Sequence, residues 1–391
     1  MNIAGSLVLK KGKEVSVKRF HPWVFSGAIQ AQNGENSDGD WVSITDSAHV
    51  TLGYGHYHNG TIAARILSFG ESAPSSNFYL DKIKACYQQR NDSGVISNQT
   101  NAYRLVNGEG DELSGLIIDF YNGVAVVQAH SIGMYRDKEL IADALKEILL
   151  ENLKAIYLKA PSASKNIQSD GYFFGMSTVP HIIKEFDNKF YVDWESGQKT
   201  GFFLDQRDNR KLLTQYCQNK VVLNKFCYTG GFSIYAIRGD ATLVHYVDAS
   251  EKAIELTRKN IELNGFSAEK NPSYTIDTFE YLKDKKDHYD VIILDPPAFA
   301  KHKSAKHQAM KGYQRLNAEA FRVIKPGGII FTFSCSQVIH RQLFYDTIVS
   351  AAIQSGRRIK VLHHLSQPAD HPVSVYHPEG TYLKGLVLYV E

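Results

Sequence analysis

Hydrophobic and polar positions change their period along the chain. Over roughly the first seventy residues, short runs rich in β-branched and aromatic side chains (15–17, 41–44 and 62–67) are separated by Asn33-Gly34, Asp38-Gly39 and Asn59-Gly60, with single glycines at Gly53 and Gly55. Such runs, bounded by turn residues, predict strands, and together they predict a small β-barrel over 1–72. Residues 71–77, Glu-Ser-Ala-Pro-Ser-Ser-Asn, read as a linker. Beyond it the pattern predicts a helix over 78–90, a hairpin of 116–120 and 124–129 turned by Tyr121-Asn122-Gly123, a helix over 134–150 and a second hairpin over 186–194 turned at Asp187-Asn188. The first of these elements make a small α/β middle domain, 73–185. From about Gly197 the candidate strands 221–226, 243–247, 274–276, 291–294 and 329–333 alternate with helical stretches. That alternation is the mark of a doubly wound parallel sheet, so the third domain, 186–391, is expected to be α/β.

The bulk numbers agree with a multidomain globular chain. Its 391 residues are too many for one typical domain. With 43% hydrophobic and 22% charged residues it is neither a disordered nor a membrane protein in composition. A net charge of +3 does not by itself imply a polyanionic partner. Cys86, Cys217, Cys227 and Cys335 show no metal-ligand spacing or disulfide framework, so no metal is expected. Residues 1–12 lack the apolar core of a signal peptide, and no apolar run approaches a membrane span, so a reduced, cytoplasmic enzyme is expected. Lys10, Lys11, Lys13, Lys18 and Arg19 gather near the start with Glu14 the only acid among them. They make either a solvated basic edge or a nucleic-acid contact.

Open α/β sheets bind ligands outside the carboxyl ends of their strands, so the residues that follow each strand are the candidates. After the first comes Cys227-Tyr228-Thr229-Gly230-Gly231-Phe232, whose paired glycines permit close backbone approach to a ligand or simply a tight turn. After the second, Asp248 can take ribose hydroxyls or cap the helix that Ser250 opens and Gly265 ends. After the third, Asp277 can reach an adenine amino group or act as an N-cap. Recurrence at successive strand ends points to an adenosine-containing cofactor. Without a P-loop or dinucleotide fingerprint, S-adenosylmethionine fits better than NAD. The run Val291-Ile292-Ile293-Leu294-Asp295-Pro296-Pro297-Ala298-Phe299 places a carboxylate at the tip of a buried strand, with a ring on which a base could stack. A rigid turn is the plain alternative, but a buried carboxylate is costly without partners. Phe333-Ser334-Cys335-Ser336 ends the next strand with a thiol, which could also be a small buried apolar residue.

These motifs carry a resemblance. The chain resembles the class I methyltransferases that make 5-methylcytosine in bacterial large-subunit (23S) ribosomal RNA and carry an N-terminal PUA domain. The resemblance rests on Gly197-Gln198-Lys199-Thr200-Gly201-Phe202-Phe203-Leu204-Asp205-Gln206-Arg207, Tyr228-Thr229-Gly230-Gly231-Phe232, Asp295-Pro296-Pro297 and Phe333-Ser334-Cys335-Ser336. The endings Ala369-Asp370-His371-Pro372-Val373, Pro378-Glu379-Gly380 and Tyr382-Leu383-Lys384-Gly385 are similar to that family too, as is His21-Pro22-Trp23-Val24-Phe25 in the β-rich start. It implies a Rossmann-like class I methyltransferase sheet with an N-terminal PUA-like β-barrel, and S-adenosyl-L-methionine as cofactor. Cys335 would be the nucleophile with Asp295 beside it, and Arg207, Tyr228, Thr229, Gly230, Asp248, Asp277 and Asp295 would surround the cofactor. The implied partners are 23S rRNA or a large-subunit assembly intermediate and a second copy of the chain, with no membrane. Lys225 stands where the family more often has an apolar residue, a departure expected to distort the first loop. Pro297-Ala298 follows Pro296 where some cytosine-5 methyltransferases carry a second cysteine, as in the single-cysteine branch.

The residues suit that chemistry independently. Carbon 5 of a pyrimidine is a poor nucleophile until a thiolate adds to carbon 6, which splits one hard step into two. Asp295 at the N3/N4 edge of a cytosine would stabilise the adduct. A base must then remove the carbon 5 proton, with water or Asp295 as candidates. Beyond Phe299, Lys301, Lys303, Lys306, Lys311 and Arg315 run without an acid as far as Glu319. As a loop leaving the catalytic strand they could hold substrate phosphates, with Lys18 and Arg19 as further RNA contacts; a solvated helix face is the alternative. The target base must be unstacked, so single-stranded or opened RNA is expected. Two rival readings remain: an N-methyltransferase acting on guanine or adenine of rRNA or tRNA, which needs no thiol, and a non-catalytic PUA-type RNA-binding protein.

Overall fold

The structure, a computed structural model, describes residues 1–160, 170–282, 285–300 and 302–391. It divides into two units: Met1–His181 with Asp193–Gly201 and Ala369–Gly380, and Ile182–Val192 with Phe202–Pro368 and Thr381–Glu391. No helix among the described residues is long and apolar enough to cross a membrane.

The first unit holds two sheets. β1 (Ile3–Leu9), β2 (Trp23–Phe25), β3 (Ile29–Asn33), β4 (Trp41–Thr45), β5 (Thr51–Tyr57) and β6 (Ile62–Phe69) form a six-stranded sheet in the order β2-β6-β5-β4-β1-β3. Its core is Leu7, Leu9, Val17, Val24, Val42, Ile44, Ala64 and Ile66. The strand expected at 15–17 is instead one helical turn, Val15–Lys18, closed by the Lys18 N–H on the Glu14 carbonyl at 2.9 Å. Three alternating residues are too few to separate a period of 2 from one of 3.6, and only Val17 is buried there. The second sheet runs β11-β10-β9-β8-β7, from β7 (Ala102–Asn107), β8 (Leu116–Tyr121), β9 (Val124–Ala129), β10 (Ala155–Lys159) and β11 (Gly171–Gly175). β8 and β9 form the expected hairpin, with both turn residues left-handed (Asn122 φ 45°, Gly123 φ 100°). Helices Phe78–Asp92 and Lys138–Leu149 send Ile83, Ile141 and Leu145 into that sheet's core. The second hairpin, β12 (His181–Glu185) with β13 (Asn188–Val192), belongs from Ile182 onward to the second unit; its left-handed residues are Phe186 and Asp187, one position earlier than expected.

The second unit is built on seven strands: β14 (Val221–Lys225), β15 (Leu243–Asp248), β16 (Ser273–Thr275), β17 (Tyr289–Leu294), β18 (Ile324–Ser334), β19 (Ile359–Leu365) and β20 (Lys384–Val390). Their order is β16-β15-β14-β17-β18-β20-β19, the first five parallel and β20 antiparallel to both neighbours. All five expected strands are present with shifted ends. Val291, Ile292, Ile293 and Leu294 are at most 1% exposed, as a strand covered on both faces requires. Burying each such side chain is worth about 1.5–3 kcal/mol, which fixes β17 at the centre of the sheet.

Candidate active site

The strand order reverses between β14 and β17, so their carboxyl ends flank the crevice where open α/β sheets bind ligands. β14 leaves through left-handed backbone at Phe226 (φ 58°), Tyr228 (φ 47°) and Gly230 (φ 76°). Bulky residues hold such angles only where their surroundings impose them. Here Asp248 Oδ2 accepts from the Tyr228 N–H at 3.1 Å, Thr257 donates to the Tyr228 carbonyl at 3.0 Å, and Asn260 donates to the Thr229 carbonyl at 2.9 Å. A Cβ at Gly230 would stand 2.5 Å from Thr257 Cγ2, so both space and φ demand glycine.

Asp248 and Asp277 stand at successive strand ends. Asp248 Oδ1 accepts from the Ser250 N–H at 2.9 Å, while the Ser250 hydroxyl is the helix cap, accepting from Ala253 N–H at 3.4 Å. Asp277 Oδ1 accepts from the Phe279 N–H at 2.8 Å. A carboxylate has about four acceptor sites, so these bonds orient both groups without exhausting them. The two acceptors suit the ribose diol and adenine amine of S-adenosylmethionine. Arg207 is buried, its Nε 3.6 Å from Glu185 Oε2. Glu185 also takes two bonds from Arg210, at 2.8 and 2.7 Å, and one from the Tyr235 hydroxyl at 3.0 Å. Lys225 does not disturb β14, which stays in register through it with Val247 and Leu294. Its ammonium finds no hydrogen-bond partner among the described residues, and burial pushes it down to about 7, with Glu319 and Asp277 opposing.

β17 and β18 are neighbours, with Leu294 opposite Thr332, so Asp295 and Cys335 leave adjacent strand ends. Ser336 Oγ ties the two loops together by donating to the Ala300 carbonyl at 2.7 Å. Cys335 alone among the four cysteines is not buried. Burial pushes the thiols of Cys86 and Cys217 up to about 12 and that of Cys227 higher still, which leaves them unreactive at neutral pH. Phe299 is half-buried, with its ring 4.6 Å from Tyr313 and 6.1 Å from Phe279.

Two groups around Cys335 went unforeseen. β20 places Lys384 opposite Ser334, where it is 2% exposed and donates to the Ser336 and Tyr382 carbonyls, each at 2.6 Å. Burial pushes its ammonium down to about 8, and the negative charge of a Cys335 thiolate opposes that fall. The coupling is mutual, so a protonated Lys384 favours the thiolate. Tyr313 is fully buried, and its phenol is pushed up to about 12, first by burial and further by Cys335 and Asp295. A lysine inside the apolar stretch Leu383-Lys384-Gly385-Leu386-Val387 was the available signal, because burying a cation is costly unless an anion is near.

The basic run beyond Phe299 is mostly helix rather than loop: Lys306–Val323, preceded by a short turn at Lys303–Ala305. Ala309, Tyr313 and Leu316 face inward, which leaves Lys311 and Arg315 exposed one helical turn apart. Lys303 is exposed, Lys306 is half-buried, and Arg315 lies 5.2 Å over the Phe279 ring. Lys301 lies outside the described residues. In the first unit, Lys18 pairs with Asp46 at 3.6 Å and Arg19 is exposed.

Residues 172–380 match the S-adenosylmethionine-dependent methyltransferase family and residues 7–69 the PUA-like domain family. Fold and site thus define a methyltransferase of the Rossmann-like class with a PUA-like domain, and its cofactor is S-adenosylmethionine. Over 99% of its length the chain is 39% identical to Ribosomal RNA large subunit methyltransferase I of Aeromonas hydrophila, covering 99% of that protein. It is 36% identical, over 99% of its length, to the protein of the same name from Pseudoalteromonas atlantica, covering all of it. The chain belongs to the ribosomal RNA large subunit methyltransferase I family. A methyltransferase solved in complex with SAH shares its fold, with a TM-score of 0.86 at 24% identity over 98% of this chain and 100% of that one. So does a SAM-dependent methyltransferase from Streptococcus mutans, with a TM-score of 0.84 at 23% identity over 98% and 100%.

Proposed function

We propose that the protein methylates carbon 5 of a cytosine in large-subunit (23S) rRNA through a covalent cysteine adduct, in the cytoplasm. The observation that carries this reading is one accessible thiol, Cys335, at the strand end next to Asp295 and coupled to the cation of Lys384. S-adenosylmethionine supplies an electrophilic methyl group. Asp248, Asp277, Asp295 and the Tyr228-Thr229-Gly230 backbone orient it, with Arg207 behind them. The Cys335 thiolate adds to carbon 6 of the cytosine, and Asp295 holds the N3/N4 edge as charge moves into the ring. Carbon 5 would take the methyl as the carbon–sulfur bond breaks and S-adenosylhomocysteine leaves; loss of the carbon 5 proton to water or Asp295 then expels the thiolate and restores the double bond. Lys303, Lys306, Lys311, Arg315, Lys18 and Arg19, with Lys301, hold phosphates. The division into 1–72, 73–185 and 186–391 and a homodimer belong to the same proposal.

Incubation with labelled S-adenosylmethionine and rRNA from a strain lacking the enzyme, followed by nucleoside mass spectrometry, tests this reading. Label in 5-methylcytidine is expected. Label in a methylated purine would replace the covalent mechanism by direct attack from nitrogen, and no label on naked RNA or ribosomal particles would leave a binding role.

Lys384→Met keeps the length of the side chain and removes its charge. At about pH 7.5 its kcat is expected to fall at least tenfold and to recover as pH rises, since loss of a neighbouring cation raises a thiol's pKa. An unaltered pH–rate profile would remove Lys384 from thiol activation.

A further inference from the structure

Within the first unit, His21, His377 and Glu379 bring three ligand atoms within 4.8 Å of one another. The first follows the short helical turn Val15–Lys18, and the other two belong to the 369–380 segment. Glu379 straddles the two rings, with Oε1 3.7 Å from His21 Nε2 and Oε2 3.8 Å from His377 Nε2. Those separations are too long for hydrogen bonds. They are close to the roughly 3.4 Å expected between ligand atoms that share a tetrahedral cation at about 2.0–2.1 Å.

His377 supplies an independent observation. It is 3% exposed, and neither ring nitrogen has a hydrogen-bond partner among the described residues. A buried polar group left unsatisfied costs about 1–3 kcal/mol, so such an imidazole calls for something to occupy its lone pair. Trp23 holds the ring from the side, centroid to centroid 4.4 Å, and His21 lies 5.4 Å away. His21 Nδ1 lies 3.4 Å from the Trp23 carbonyl and 3.2 Å from the Trp23 N–H, so either tautomer has a local partner. A cation on Nε2 selects the tautomer that donates to the carbonyl, the usual outer-sphere arrangement for a ligating histidine.

We propose that His21, His377 and Glu379 form a binding site for a divalent first-row transition cation, with Zn2+ the best fit to two imidazoles and a carboxylate. Three protein ligands leave the fourth tetrahedral position to water. The site would fasten the 369–380 segment to the start of the chain. It uses none of the proposed methyl-transfer residues, so its fate does not depend on that reaction.

The test is titration of metal-free full-length protein with zinc chloride against a chromophoric chelator, together with melting curves with and without zinc. One zinc per chain is expected, with micromolar or tighter affinity and a raised Tm. Both effects should persist in Cys335→Ser, which controls for thiol binding. Affinity should weaken by more than about tenfold in His377→Gln and in Glu379→Gln. Glu379 is 54% exposed, so the second variant reads the site even if the first folds poorly. Cobalt loading should give visible d–d bands without a thiolate charge-transfer band. Absence of stoichiometric zinc, or binding unchanged in Glu379→Gln, would overturn the site.

Discussion

Cys335→Ala is expected to lose methyl transfer by at least about a thousandfold while binding S-adenosylmethionine as tightly as the parent protein. Removing a covalent nucleophile abolishes the path that uses it, whereas the loop proposed to orient the cofactor is braced by Asp248, Thr257 and Asn260, which lie outside β18. No other thiol can take over, because Cys86, Cys217 and Cys227 are buried with raised pKa values. Calorimetry reports cofactor affinity and label transfer reports turnover. Full activity in this variant would end the covalent mechanism and favour a nitrogen acceptor, with Asp295 binding its amino group.

The largest expected effect on stability is at Glu185→Gln. The carboxylate is 0% exposed and faces the guanidinium groups of Arg210 and Arg207, with the Tyr235 hydroxyl also bonded to it. Glutamine keeps the shape and removes the charge, which leaves two buried cations facing each other. Breaking a buried ion pair from one side costs about 3–5 kcal/mol, equivalent to a fall in Tm of about 10 °C for a unit of this size. Thermal unfolding by circular dichroism measures it, and a loss below about 1 kcal/mol would show that the arginines find other partners. Because the Arg210 side chain lies against the start of the Gly231–Arg238 helix, weakened cofactor binding is expected alongside.

The parts of this fold that could be read from the chain are those where one face, or both, must be apolar. Val291–Leu294 announced a doubly covered strand, and the groups that follow such strands could be named because an open sheet binds at their carboxyl ends. β19 was not legible: Ile359, Val361, His363 and His364 give an edge strand half open to water, without the apolar run of the inner strands. Nor did the sequence reveal that β20 enters between β18 and β19, since strand order depends on contacts far apart along the chain. Lys384 was missed for that reason: its place beside Cys335 exists only through pairing with β18. Asp248 and Asp277 showed the reverse difficulty, for a ligand acceptor and a loop brace need the same carboxylate in the same place. Both bind backbone N–H groups in the structure, and neither reading displaces the other.

The position of β20 also gives the chain an order of maturation. During synthesis the cofactor loop, Asp295 and Cys335 all emerge before Lys384, and β19 has no strand to pair with until β20 arrives. A nascent chain halted short of Lys384 would carry the thiol and both loops but not the buried cation beside them. Under the proposed mechanism the cation that favours the Cys335 thiolate is then missing, so full reactivity of the thiol would await the last inner strand of the sheet.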